Sequence, residues 1–249
     1  MKKLVCSLLV LTAFSATGSA QSIGDFVNKV RTSSTSGDKK AATPTSYLTN
    51  TEITSGLKEA LRVGAETATK TLSASDGFFG NQLIKILMPP EVKTIEAKMR
   101  QFGMGNVVDK AILSMNRAAE DASSQALPIL VNAITSFTIQ DGLTILKGNS
   151  TAATDLLKSK TATQIAVAFR PVISKSMSKY NVEQLWSQVF STYNSLPIIK
   201  NKVNTDLTGY ITDKAISGLF VTVAQQEQKI RKDPAGTAND LIEKVFGSR

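Results

Sequence analysis

Residues 105–123 read GNVVDKAILSMNRAAEDAS, and their apolar positions decide the fold. Val107, Val108, Ala111, Ile112, Met115, Ala118, Ala119 and Ala122 recur three and four residues apart, the period of an amphipathic α-helix. The alanines in this stripe leave little side-chain bulk, so a second helix can approach closely.

The same period extends outward in both directions. Upstream, Asn50 or Thr51 caps a helix with Ile53, Leu57, Ala60, Leu61, Ala68 and Leu72 on one face. Pro89-Pro90 opens a helix through Val92, Ile95 and Met99, which Gly103 closes. Downstream, Pro128 restarts the chain ahead of Leu130, Ile134 and Phe137, and Thr138 to Asp141 form a capping box. A short helix carries Leu156 and Leu157. A second capping box, Thr161 to Gln164, then starts a helix through Ile165, Phe169, Ile173 and Met177, with a kink at Pro171. Asn181, Thr212 and Thr237-Ala238-Asn239-Asp240 cap the remaining apolar stripes. The prediction is an all-α fold: one irregular multi-helix bundle of eight or nine helices over residues 47–249. One stretch departs from the pattern. Ser73 to Pro90 (SASDGFFGNQLIKILMPP) is predicted as an extended, apolar connection lying over the helices.

The first residues read differently. Lys2 and Lys3 precede an apolar run from Leu4 to Phe14, and Gly18-Ser19-Ala20 supplies small residues before Gln21. This pattern predicts a signal peptide over residues 1–20 and export, to the periplasm first and the extracellular medium second. Cys6 sits near the start of the apolar run rather than after it, so no lipid anchor is expected. Residues 21–46 are rich in Ser, Thr and Lys and predict a mobile tether. No later stretch is long enough for a transmembrane helix.

Composition narrows the chemistry. The chain has 249 residues, no histidine and one cysteine. That excludes Ser-His-Asp and Cys-His catalysis and zinc held by His or Cys, and no cofactor or metal site is expected. The net charge is +9, or +7 once Lys2 and Lys3 are subtracted. The basic residues are scattered and lack interleaved aromatics, so nucleic acid is not the expected partner.

Polar residues at telling positions remain. Gly148-Asn149-Ser150-Thr151 places a glycine before a helix start, where backbone N–H groups can hold an anion, although a plain helix stop and start is the simpler reading. Ser55-x-x-Lys58 and Ser176-x-x-Lys179 match a short Ser-Lys pattern without its companion motifs. Asn116 with Glu120, and Arg117 with Asp121, are placed on the face opposite the Val108/Ile112/Met115/Ala119 stripe, as a solvated face or a patch that meets another element or ligand. Glu227 is the sharper case. At about 100° per residue from Ile216, Phe220 falls at about 40°, Val223 at about 340°, Ile230 at about 320° and Glu227 at about 20°, inside the apolar stripe. A carboxylate there needs a partner. Arg231 is within reach one turn on, and Arg117 is the expected distant partner.

Several of these segments resemble a known family. Thr54 to Leu61 (TSGLKEAL), Asp76 to Asn81 (DGFFGN), Gly103-Met104-Gly105, Met115 to Glu120 (MNRAAE), Asp141 and Leu146-Lys147-Gly148 are similar to the DUF4197 family of exported bacterial proteins. So are Ala152-Ala153-Thr154, Tyr210-Ile211-Thr212, Gly218-Leu219-Phe220, Glu227, Ile230-Arg231, Pro234 and Val245-Phe246-Gly247. The resemblance runs from about Ile23 to Gly247. Some members carry a lipoprotein signal, from which this chain departs. The family has no known function, so the resemblance implies an exported helical protein and no catalytic residues. The function expected is an envelope protein that binds a lipid or other apolar or amphiphilic ligand, or a partner protein. The alternatives are a closed-core structural protein and a hydrolase using Glu120, Asp141 or Glu227 as acid and base.

Overall fold

The structure is a computed structural model that describes residues 48–179, 182–195, 202–237 and 239–247. The expected signal peptide, the tether and the Asn181 cap lie outside the described residues. Nine α-helices and no strand occur among those described: α1 (Asn50–Ser73), α2 (Lys93–Gln101), α3 (Gly105–Ser123), α4 (Ala126–Thr135), α5 (Ile139–Lys147), α6 (Ala152–Ser178), α7 (Val182–Ser195), α8 (Leu207–Lys232) and α9 (Asp240–Gly247). Single 3-10 turns occupy Pro90–Val92 and Ala235–Thr237.

The helix starts follow from side-chain chemistry, with shifts from the sequence reading. Thr49, one residue before the expected cap, forms the capping box of α1 with Glu52. The Thr138–Asp141 box starts α5 as expected. The box at Thr161 does not form. Thr161 is buried inside α6 and its hydroxyl donates to the Leu157 carbonyl, so one helix runs unbroken past Pro171. A threonine that can bond the carbonyl one turn back has no need to begin a helix. Thr212 does the same with Thr208 inside α8, whose cap is Asp206, accepting from Gly209 N–H. Gly103 closes the α2 turn at φ +77°, a left-handed backbone that glycine adopts without penalty.

Four long helices build the centre. α1 packs on α3, α3 on α6, α6 on α8 and α8 back on α1, while α3 also touches α8. Their facing residues (Leu57, Ala65, Ala68, Met115, Ala119, Ile165, Phe169, Ile173, Ala215 and Leu219 among them) are buried. α4 and α5 cover α1 and α6. α9 lies on α1 where Gly56 allows it: a Cβ there would sit 2.7 Å from Val245 Cγ2. α2 packs on α3 and buries none of its own residues, and α7 packs on α6 and α8.

The connection after α1 does lie over the helices, but its first part is a chain of turns, with Gly80, Asn81 and Ile84 donating to the carbonyls of Asp76, Phe78 and Asn81. Asp76 takes a left-handed φ of 65°, which aspartate tolerates better than most residues. Phe78, Ile84 and Ile86 are pegged into the core. The Phe78 ring rests on Gly218 of α8, where a Cβ would approach it to 2.6 Å.

Candidate functional site: two buried glutamates and an apolar cleft

A connection without ladder partners leaves backbone groups that still need hydrogen bonds when buried. α3 supplies them. Asn116 Oδ1 accepts the Ile86 N–H at 2.8 Å while its Nδ2 donates to the Ile86 carbonyl at 2.8 Å, so one side chain replaces a neighbouring strand. Glu120 Oε1 accepts the N–H groups of both Phe78 and Phe79, each at 3.1 Å. Its Oε2 accepts from Arg117 at 2.6 Å, and Arg117 reaches on to Asp76 Oδ1 at 2.7 Å.

This corrects the placement of Asn116 and Glu120 opposite the core stripe; Arg117 and Asp121 do lie there, at about 180° and 220° from Val108. Taken from Val108, Asn116 lies at about 80° and Glu120 at about 120°, on the stripe's edge rather than behind it. The connection closes over that edge, so both are buried. Asp121 turns away and accepts from the Ser176 hydroxyl at 2.7 Å.

Glu227 repeats the device between two helices. It is buried, as its helical phase predicts. Its Oε1 accepts the Ala153 N–H at 3.1 Å; its Oε2 accepts the Thr154 N–H at 2.9 Å and the Thr154 hydroxyl at 2.8 Å. Those N–H groups belong to the first turn of α6, where Thr151 provides no side-chain cap. The helix start after Gly148 therefore does hold an anion, and the anion is Glu227. The carboxylate meets unpaired N–H groups at the positive end of the helix, where negative charge is stabilised. Arg231 completes the site with 3.0 and 2.8 Å bonds to Glu227 Oε1 and one to the Ile145 carbonyl. Arg117, the expected distant partner, is engaged by Glu120 and Asp76 instead.

Asp141 stays local. It accepts from Thr138 N–H and hydroxyl, and the backbone bond is the main reason its carboxyl is held below the usual range. The Ser-Lys patterns dissolve in the same way: Lys58 donates to the Thr135 carbonyl at the end of α4, and the Ser176 hydroxyl is bonded to Asp121. Asn116, Arg117, Glu120, Asp141, Glu227 and Arg231 thus hold backbone and one another. The void beside Glu227 is about 10 Å³, room for a water molecule and no substrate.

The space for a ligand is elsewhere. An open cleft of about 500 Å³ lies between α2, α3 and α7. Met88, Val92, Ile95, Met99, Val107, Ala111, Val182, Trp186 and Phe190 make its apolar wall, and Glu96, Lys110 and Ser114 bring the only polar side chains among the described lining residues. Trp186 and Phe190 pack with ring centroids 4.4 Å apart, and the indole N–H donates to the Asn204 carbonyl. From the sequence, Val92, Ile95 and Met99 read as an ordinary core stripe. Nothing in that spacing tells a cleft wall from a core face: α9, one residue shorter than α2, buries Ile242, Val245 and Phe246.

The described chain is thus an all-α multi-helix protein with clamped polar residues and one large apolar cleft. The model of a family described as "Protein of unknown function (DUF4197)" matches residues 47–247, and the chain belongs to that family. The match begins after the segment from Ile23 to Ser46 that the resemblance included. No curated protein and no solved structure matches the chain.

Proposed function

We propose that this is an exported, non-enzymatic envelope protein that holds an amphiphile with a single alkyl chain in the cleft between α2, α3 and α7. The observation that carries this reading is the cleft itself: about 500 Å³, open, and walled by aliphatic, methionine and aromatic side chains. Small-molecule sites span ~300–1,000 Å³ and are mostly apolar with a few placed polar groups. Lys110 suits a polar or anionic head, because Glu96 is already bonded to Arg100. Acid-base hydrolysis is not supported, since Glu120, Asp141 and Glu227 each accept backbone N–H groups and none lines the cleft.

Trp186 is the chain's single tryptophan and borders the cleft, so its fluorescence reads occupancy directly. A fatty acid brominated along its chain should quench Trp186 saturably, and Ala111→Phe, which fills the cleft, should weaken that binding at least tenfold. Absence of saturable quenching, or quenching indifferent to Ala111→Phe, would overturn the reading.

A further inference from the structure

The clamps on α3 have a consequence on the opposite side of the connection. Pinning Phe78 and Ile86 inward, through Glu120 and Asn116, sets an alternation in which Ile84 and Ile86 enter the core and Leu83 and Leu87 point out. Leu83 is 76% exposed and Leu87 55%. A connection held this firmly could have carried polar residues at its outward positions at no cost to the core. Val221 of α8 is a further exposed aliphatic side chain beside them.

Two cations stand among these residues. Lys85, Lys214, Tyr210 and Ser217 line a groove of about 240 Å³ together with Leu83, Leu87 and Val221, and none of the described lining residues is acidic. Lys85 is held over the Phe79 ring at 3.8 Å and Lys214 lies 5.6 Å from the Tyr210 ring. Tyr210 is itself fixed by donating its hydroxyl to the Leu87 carbonyl at 3.0 Å. Exposed leucines flanked by lysines are the chemistry of interfacial membrane binding: apolar side chains enter the headgroup boundary and ammonium groups meet anionic phosphates.

We propose that this face docks the protein onto an anionic bilayer, with Leu83, Leu87 and Val221 entering the interface and Lys85 and Lys214 contacting lipid phosphates. It is separate from the α2–α3–α7 cleft and stands whether or not that cleft holds a ligand. No single helix among those described is long and apolar enough to cross a membrane.

The test is flotation of the full chain with vesicles of phosphatidylglycerol and phosphatidylethanolamine against vesicles of phosphatidylcholine. Binding should be selective for the anionic vesicles and fall with added salt. Leu83→Ser with Leu87→Ser, and separately Lys85→Gln with Lys214→Gln, should each lower it at least tenfold with an unchanged melting temperature. Val167→Ser, at another highly exposed aliphatic position, should leave it unchanged. The proposal is overturned if anionic vesicles do not bind, if either pair leaves binding intact, or if Val167→Ser or Phe102→Ser abolishes it equally. It is also overturned if the leucine pair instead dissolves a dimer in solution, since the face would then be covered by a second copy.

Discussion

Glu227 caps a helix 73 residues away in the chain: its Oε2 sits 2.9 Å from the backbone nitrogen of Thr154 and 2.8 Å from the Thr154 hydroxyl. Glu120 does the equivalent for the turn at Phe78–Phe79. In both sites one buried carboxylate takes two successive N–H groups and an arginine from its own helix. Charge-assisted bonds of this kind are the strong ones, and leaving their donors bare is costly.

Glu227→Ala strands Arg231 and the first turn of α6. Breaking a buried ion pair by removing one partner costs about 3–5 kcal/mol, a large part of the ~5–15 kcal/mol that stabilises most domains. Glu227→Gln retains an acceptor for Thr154 but loses the charge opposite Arg231, so its loss should be intermediate. Exposed Glu243 lies outside the buried face of α9, and Glu243→Ala should change stability by under about 0.5 kcal/mol. Thermal melts check the ranking: Glu227→Ala should lose most, Glu227→Gln less and Glu243→Ala least.

Asn116→Leu removes both partners of the buried Ile86 amide group. Each buried group left unsatisfied costs about 1–3 kcal/mol. Hydrogen exchange should rise first between Phe78 and Leu87, before α6 or α8. Uniform acceleration across the protein would mean that the connection does not open separately from the core.

Gly218→Ala puts a methyl group 2.6 Å from Phe78 Cε1 and 3.3 Å from Ile84 Cβ. Overpacking of this kind costs about 1–3 kcal/mol, despite the better helix propensity of alanine. Gly64→Ala is the control, because its nearest contact would be an ordinary 3.5 Å. Urea midpoints should fall for the first and hold or rise for the second.

The capping boxes give the pH dependence its sign. Glu52 and Asp141 are held below their ordinary 4.5 and 3.8, chiefly by the N–H groups of Thr49 and Thr138. A carboxyl lowered in the folded state takes up its proton more readily in the unfolded chain. Its stabilisation is complete above the ordinary value and is lost as pH falls through it toward the folded one. Asp141→Asn should therefore flatten the loss of stability below about pH 4, measured by urea titration at a series of pH values.

The proposed export makes its own prediction. Protein recovered from the host should begin at Gln21 and be released without a diacylglyceryl adduct. Intact mass decides it: a chain retaining Met1, or one carrying the adduct, would reject cleavage after Ala20.

Much of the fold was legible because periodicity and capping are local. The spacing of Val108, Ile112, Met115 and Ala119 required a helix with a buried face, Thr138 and Asp141 named a helix start, and the phase of Glu227 placed a carboxylate in the core. Local patterns misled where a residue had two ways to satisfy itself. Thr161 and Thr212 read as caps but bond the carbonyl one turn back and sit inside longer helices.

Tertiary structure decided the rest. Glu227 announced that it needed a partner, but the helix start at Ala153–Thr154 reaches it only when α6 and α8 pack together. Asn116 and Glu120 lie on the edge of a stripe, and whether an edge is wet or buried depends on what crosses it, here a connection that has no regular partner of its own. Val92, Ile95 and Met99 look like one core stripe in the sequence; in the fold Val92 is buried, Ile95 and Met99 are half-buried, and all three line a wall of the open cleft. Amphipathic spacing records which face is apolar, while long-range packing alone determines whether another element covers it.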